Sequence, residues 1–268
     1  MPKPRGGEAS ASRRAGMTCA VDNNAVDPLD RFLDDLVSAR IGSTLNQYRD
    51  SDPALDRPGA AQIRVGNLAA YLRARPDPLL LLVGEAAGYA GCRFSGIPFT
   101  SERSLLPDRW TSLYPRGRVE HSASIVHPIL QELGLEATTV LWNLCPTHPA
   151  GSTSLSNRAP TPAERQAGAV FLARLVSILV PALVVAVGVH AGNALQVTPI
   201  RHPANGGKAG FRLGLINAVA SRRRIRTLPR QHGPRQGPRS GSTPATTGRP
   251  SRSAPDGFTE RPTGLWRG

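Results

Sequence analysis

The sequence predicts an α/β domain in which a parallel β-sheet lies between layers of helices. Three runs rich in apolar or β-branched residues, at 79–83, 138–142 and 183–187, each end at Gly or Asn. A continuous apolar run that is followed by Gly or Asn is typical of a buried parallel strand that leads into a loop. Helical periodicity occupies the segments between the runs. Strands that alternate with helices are typical of parallel sheets covered on both faces, and ligands bind such sheets at the carboxyl ends of the strands.

Four helices are predicted around these strands. Residues 27–44 place apolar side chains at helical spacing, with Asp27 as the N-cap and Pro28 at the first helical position. The other three helices are predicted at residues 60–73, 125–133 and 162–179. The helix at 162–179 begins with a capping pattern, in which Thr161 precedes Glu164 by three residues.

The chain is predicted to hold one folded domain at residues 27–220, with disordered tails at 1–26 and 221–268. The net charge is +14, and +9 of it lies from residue 216 onward, where Arg, Pro, Gly and Ser dominate. Such a segment buries too little apolar surface to offset its ordering entropy. The basic excess argues against a calcium buffer. The tail either holds polyanions without sequence preference, has no specific role, or reflects a shifted reading frame in GC-rich DNA.

No segment predicts secretion or a membrane span. The longest uncharged apolar run, residues 175–189, contains Pro181 and is short of the roughly 20 residues that a span needs. The three cysteines of the protein, Cys19, Cys92 and Cys145, are too far apart in the sequence for a zinc knuckle or a disulfide framework. We therefore expect a cytoplasmic monomer without a metal or cofactor.

Glycine-rich and polar segments follow the predicted strands. GEAAGYAGCRFSGIPF (84–99) follows the first, WNLCP (142–146) and NRAPTPAE (157–164) accompany the second, LVVAVG (183–188) contains the third, and RHPANGG (201–207) lies beyond it. In this order the segments resemble motifs of the uracil-DNA glycosylase superfamily. The resemblance covers about residues 79–215. It implies a three-layer α/β/α sandwich with a four-stranded parallel sheet, DNA containing uracil as the partner, and hydrolysis of the N-glycosidic bond in base excision repair.

The implied reaction leaves cationic character on the sugar and anionic character on the departing base. A site must therefore stabilise both charges and position a water molecule. The resemblance assigns Glu85 to organising water and stabilising the sugar cation, and His202 to donating a hydrogen bond to the base carbonyl. Gly84 and Ala86 flank Glu85 in the substrate pocket, where Ala86 replaces the Asp of the best-known family.

Base recognition is assigned to two further residues. Asn143 presents a donor and an acceptor that can read the edge of uracil and discriminate against cytosine. Phe99 matches the aromatic residue that stacks on the flipped base. A strand-end cap for Asn143 and a core position for Phe99 are the structural alternatives. Tyr89 is a candidate wall against the 5-methyl group of thymine.

DNA contacts are assigned to the segment after His202. Ala204 replaces the family's usual Ser, so phosphate contact is expected from Asn205, Gly206, Gly207 or Lys208. An apolar wedge is not evident in this segment, which predicts a preference for single-stranded or mismatched substrate. Three cysteines are too few for the four-cysteine iron–sulfur cluster of the superfamily's thermophilic branch, so no cluster is expected.

Two alternative functions remain open on the sequence. One is a glycosylase for another deaminated or mismatched base, such as hypoxanthine or mismatched thymine. The other is nucleic-acid binding through the same fold without turnover, because Ala87 stands where the family carries Pro and Ala204 where it carries Ser.

Overall fold

The computed structural model describes residues 26–227, and the side chains of residues 26–221. Strands and helices alternate over this part of the chain, as the sequence predicts. Short 3₁₀ helices occupy Glu102–Ser104, Pro107–Arg109 and Glu136–Thr138. In chain order the other elements are α1 (Pro28–Ser38), α2 (Ala60–Arg73), β1 (Leu80–Ala86), α3 (Cys92–Ser95), α4 (Ala123–Glu132), β2 (Thr139–Cys145), α5 (Pro162–Leu179), β3 (Leu183–Ala186), α6 (Val189–Leu195) and α7 (Lys208–Thr227).

The three strands form a parallel sheet in the order β2-β1-β3, with β1 in the centre. The expected fourth strand is not formed within residues 26–227. Just after β3, a single parallel bridge joins Val187 to Ile200. Pro199 and Pro203 lie close to Ile200 in the chain, and proline lacks the amide donor that a longer ladder needs.

Helices cover both faces of the sheet with separate apolar clusters, so the predicted three-layer α/β/α architecture is confirmed. On one face α1, α2 and α5 pack on the sheet, and the rings of Phe32 and Trp142 lie 5.7 Å apart between centroids. On the other face α4 and α7 contribute Val126 and Phe211 to a second cluster, which also includes Phe99. The core therefore extends from both faces to the end of the sheet where β1 and β2 finish.

Hydrogen bonds at the helix ends explain where the helices begin and end. The Asp27 carboxylate caps α1, as predicted. That helix ends at Ser38, earlier than predicted, because Asn46 Nδ2 donates to its last carbonyls, at 2.8 Å to Leu36 O. At the start of α5, Thr161 and Glu164 form the predicted capping box, with Glu164 Oε2 accepting from the Thr161 amide at 2.8 Å.

The last helix continues beyond the predicted end of the domain. The sequence predicts that end at residue 220, whereas α7 runs from Lys208 to Thr227. The other predicted tail residues, 1–25 and 228–268, lie outside the described part of the chain, and so does Cys19. Among the helices of residues 26–227, none has both the length and the apolar character needed to cross a membrane.

Candidate active site

A cleft of about 1070 Å³ opens at the carboxyl end of the sheet. It lies where ligand sites of parallel α/β sheets form. The structure brings together in its wall the four residues assigned to chemistry and base recognition: Glu85, Phe99, Asn143 and His202. Ala86, Tyr89 and Asn205 also line it, whereas Gly84, Gly206, Gly207 and Lys208 do not.

Gly84 allows two side chains of the pocket to approach the backbone of β1. It pairs with Asn143 on β2, which is 3% exposed. A Cβ atom on Gly84 would lie 2.3 Å from Phe99 Cζ and 3.0 Å from Asn143 Oδ1. The Phe99 backbone is left-handed, with φ 51°, a conformation that non-glycine residues rarely adopt. The bare backbone at Gly84 is therefore part of what places Phe99 and Asn143 side by side.

His202 is held in one tautomer. Its Nδ1 atom accepts a hydrogen bond from the Ala204 amide at 3.2 Å, so the neutral ring carries its proton on Nε2. Burial, and in addition the charge of Arg201, lowers the pKa of His202 below its ordinary value. The ring lies near Phe99, with 6.2 Å between the centroids. The local structure thus favours a neutral imidazole that offers Nε2–H as a donor.

The segment after His202 is a tight turn that leads into α7. Asn205 and Gly206 both have left-handed backbones, with φ 53° and 73°. The Gly207 amide donates to Ala204 O at 3.1 Å, and a Cβ on Gly207 would lie 1.8 Å from His202 O. The Gly207 amide is therefore bonded within the turn. Gly207 also packs closely against the His202 backbone and supports it. The phosphate contacts assigned to this segment remain a prediction.

Glu85 lies near the end of β1 and lines the cleft. Oε1 is buried and accepts no hydrogen bond from the described residues. Two nitrogen atoms flank it, Arg165 Nη1 at 3.7 Å and His190 Nδ1 at 3.9 Å. The Glu85 side chain as a whole is 30% exposed, and it lines the cleft.

The cleft also contains polar residues that the sequence did not assign. Glu120 Oε1 accepts a hydrogen bond from Ser122 Oγ at 2.7 Å, and burial raises the pKa of the Glu120 carboxyl. Asn157 Oδ1 accepts from the Tyr89 amide at 2.9 Å and so ties the loop after β1 to the loop after β2. Asn157 begins the NRAPTPAE segment, so a signal for it was present, whereas nothing in the sequence marks Glu120.

Metal-ligating side chains do not cluster in the described part of the chain. Within residues 26–221, no group of three or more His, Cys, Asp or Glu is placed to hold a metal ion. Burial raises the pKa of Cys92 to about 12 and that of Cys145 to about 11. Both are therefore protonated thiols at neutral pH.

Comparison with known proteins identifies the class of enzyme and then the family. A family model of the Uracil DNA glycosylase superfamily matches residues 73–230, more than half of the chain. The match places the protein among DNA glycosylases, which hydrolyse N-glycosyl bonds. Within that class, the chain belongs to the uracil DNA glycosylase superfamily.

The fold is shared with solved structures. The crystal structure of wild-type SMUG2 from Pedobacter heparinus matches with a TM-score of 0.51 and 14% sequence identity, over 73% of this chain and 98% of that chain. At this identity the likeness concerns the fold alone. No curated protein matches the sequence significantly.

Proposed function

We propose that the protein removes uracil from DNA and leaves an abasic site. The observation that carries this proposal is the convergence of Glu85, Phe99, Asn143 and His202 in one cleft. These residues come from three segments that are far apart in the sequence, because Glu85 and Phe99 share the segment 84–99. A carboxylate, an aromatic ring, a carboxamide and an imidazole donor are together suited to binding a flipped pyrimidine and cleaving its bond to the sugar.

Base recognition is proposed for Asn143 and Phe99. A carboxamide offers one acceptor and two donors, which complement the imide edge of uracil. Cytosine presents an amino donor where uracil has a carbonyl acceptor, so the same arrangement disfavours it. Phe99 is only 5% exposed, and its ring lies against Gly84, so it provides a fixed surface on which a base can stack.

Bond cleavage is proposed for His202 and Glu85. As the bond between the sugar C1′ atom and the base nitrogen breaks, its electron pair leaves with uracil. His202 Nε2–H then donates to the carbonyl oxygen that gains this charge, as an oxyanion donor does. Glu85 Oε2 stabilises the positive charge on the sugar and orients the water whose oxygen bonds to C1′, and the proton that this water loses neutralises the departing uracil anion.

The rim of the cleft suggests which DNA is the better substrate. Two exposed apolar side chains lie there, Val119 at 46% and Val189 at 65% exposure, both outside the segment after His202. Valine is short for a wedge that fills the gap left by a base. We therefore propose that single-stranded or mispaired uracil is preferred, because its extrusion costs less free energy.

We expect the full chain to release uracil from oligonucleotides, with Asn143→Asp about 10- to 100-fold slower because the aspartate offers no donor to the base. Alkali cleavage of the abasic product measures the rate on single strands and duplexes that contain uracil, hypoxanthine or mismatched thymine. DNA binding without any abasic product would overturn the enzymatic proposal and favour a binding protein. Release of another base alone would replace uracil as the substrate.

We expect Gly84→Ala to lower kcat/KM for uracil release about 100-fold, because displacing substrate-orienting groups by about 1 Å has this effect. The new methyl group must push aside Phe99 or Asn143. Gly66→Ala on α2 is the matched control, since the nearest atom to its new Cβ is Arg109 Nη1 at 4.0 Å. Equal rates for Gly84→Ala and the parent would show that this contact does not order the pocket.

A further inference from the structure

The buried oxygen of Glu85 faces two cationic or ionisable side chains to which no role has been given. Arg165 Nη1 lies 3.7 Å from Glu85 Oε1, and the same nitrogen donates to Pro160 O at 2.5 Å. The Arg165 guanidinium is thus held in place by a backbone carbonyl in addition to its contact with the Glu85 carboxylate. Its side chain is 25% exposed, so solvent screens the attraction only in part.

A glycine one turn further along α5 explains why Arg165 reaches this position. A Cβ atom on Gly168 would lie 2.0 Å from Leu144 O, so α5 approaches the end of β2 as closely as only glycine permits. Residues three apart lie on the same face of a helix. Arg165 therefore faces the end of the sheet, where β1 presents Glu85.

His190 approaches the same oxygen from the other neighbouring element. It lies in the first turn of α6, which begins directly after Gly188, a residue with φ 86°. Its Nδ1 atom is 3.9 Å from Glu85 Oε1, and its side chain is 57% exposed. Arg165 and His190 thus flank Oε1 from two different helices.

We propose that Arg165 and His190 are positioning residues that hold Glu85 Oε1 in the wall of the cleft and so present Oε2 to the sugar in one orientation. This inference rests on the proposed function. A glutamate side chain has three rotatable bonds, and ordering it at the moment of reaction would slow the chemistry. Attraction of one oxygen to a fixed guanidinium orders the carboxylate beforehand.

The test is the rate of uracil release under single-turnover conditions, measured beside the affinity for single-stranded DNA. Arg165→Met should slow release about 10- to 100-fold, whereas DNA affinity changes less than about twofold, because the loss concerns orientation and not binding. Arg165→Lys should restore part of the rate, since it keeps the charge but not the planar guanidinium. His190→Gln should slow release less, because that side chain is more exposed.

Two controls separate positioning of Glu85 from other roles. Arg174→Met changes an arginine on the same helix that pairs with Asp35 at 2.7 Å, and it should release uracil at the parent rate. In a Glu85→Gln background, Arg165→Met should cause no further loss of rate, because it acts through the carboxylate. Thermal unfolding of each variant checks that the fold is kept.

Three results would overturn the proposal. An active parent with an equally active Arg165→Met variant would refute the positioning role alone. Loss of DNA affinity and of its salt dependence, at an unchanged rate, would make Arg165 a phosphate contact. A parent protein that releases no uracil from any strand would refute the proposed function, and this inference with it.

Discussion

His202→Leu is expected to slow uracil release about 100- to 1000-fold, which is the usual cost of removing one hydrogen-bond donor from a developing anion. The leucine fills a similar space but donates nothing to the base carbonyl. Because His202 Nδ1 is bonded to the Ala204 amide, the donor that is lost is Nε2–H. Single-turnover release from a single-stranded oligonucleotide measures the effect, and DNA affinity should change little.

His202→Gln is the matched variant, since the glutamine amide can place a donor near the position of Nε2. It should therefore be intermediate between His202→Leu and the parent. The same geometry predicts the pH dependence. The pKa of His202 is lowered below its ordinary value of 6.5, so the neutral donor persists as the pH falls through 6.5. At lower pH Nδ1 gains a proton and can no longer accept from Ala204, so the ring loses the bond that orients Nε2–H, and release should slow there.

Two outcomes would contradict this assignment. If His202→Leu released uracil at the parent rate, the donor would have to be another group of the cleft. If the parent and His202→Gln lost activity together as the pH fell, the titrating group would not be His202. In either case the close approach of the turn at Gly207 to His202 O would be a structural feature only.

The meeting of Glu85 and Asn143 could be predicted because parallel strands bring their carboxyl ends to one edge. Glu85 and Asn143 lie in neighbouring paired strands, β1 and β2, so any sheet of this topology places them together. His202 required the ordered motifs, because it follows β3 by a long connection that periodicity does not resolve. The boundaries of α2 and α5 were also predicted to the residue, from apolar spacing and caps.

The features that the sequence did not reveal depend on contacts between distant segments. Arg165 and His190 meet Glu85 only because α5 and α6 pack against the same end of the sheet, and Gly168 reveals its role only through the distance to Leu144 O. The early end of α1 likewise depends on Asn46, which reaches back to carbonyls of that helix. Local propensity carries no information about such contacts.

A buried ion network supports the segment that carries Phe99. Asp56 accepts from both terminal nitrogens of Arg93 at 2.9 Å and from Arg64 Nη2 at 2.5 Å. Both arginine side chains are 0% exposed. Arg93 lies in α3, which leads through Gly96 to Phe99, and a Cβ on Gly96 would lie 2.5 Å from Arg64 O. The network therefore joins α2 and α3 beneath this wall of the cleft.

Asp56→Ala is expected to lower the free energy of unfolding by about 3–5 kcal/mol, because it leaves two buried guanidinium groups without their carboxylate. Urea unfolding measures the change. Asp35→Ala is the control, since Asp35 is 58% exposed in its pair with Arg174, and exposed pairs contribute at most about 1 kcal/mol. Equal effects of the two substitutions would mean that the buried network relaxes or admits water when the carboxylate is removed.

The pH dependence of Asp56→Asn distinguishes loss of charge from loss of shape. Burial alone would raise the pKa of Asp56, but hydrogen bonds from Arg93 and the charge of Arg64 outweigh it and lower the pKa below 3.8. A carboxyl group with a lowered pKa in the folded state stabilises the fold above its unfolded pKa and loses this contribution as the pH falls through the folded value. The stability difference between parent and Asp56→Asn should therefore be constant at neutral pH and shrink below about pH 3.8. If it did not change with pH, the substitution would act through packing, and the charge of Asp56 would not be what holds α2 and α3 together.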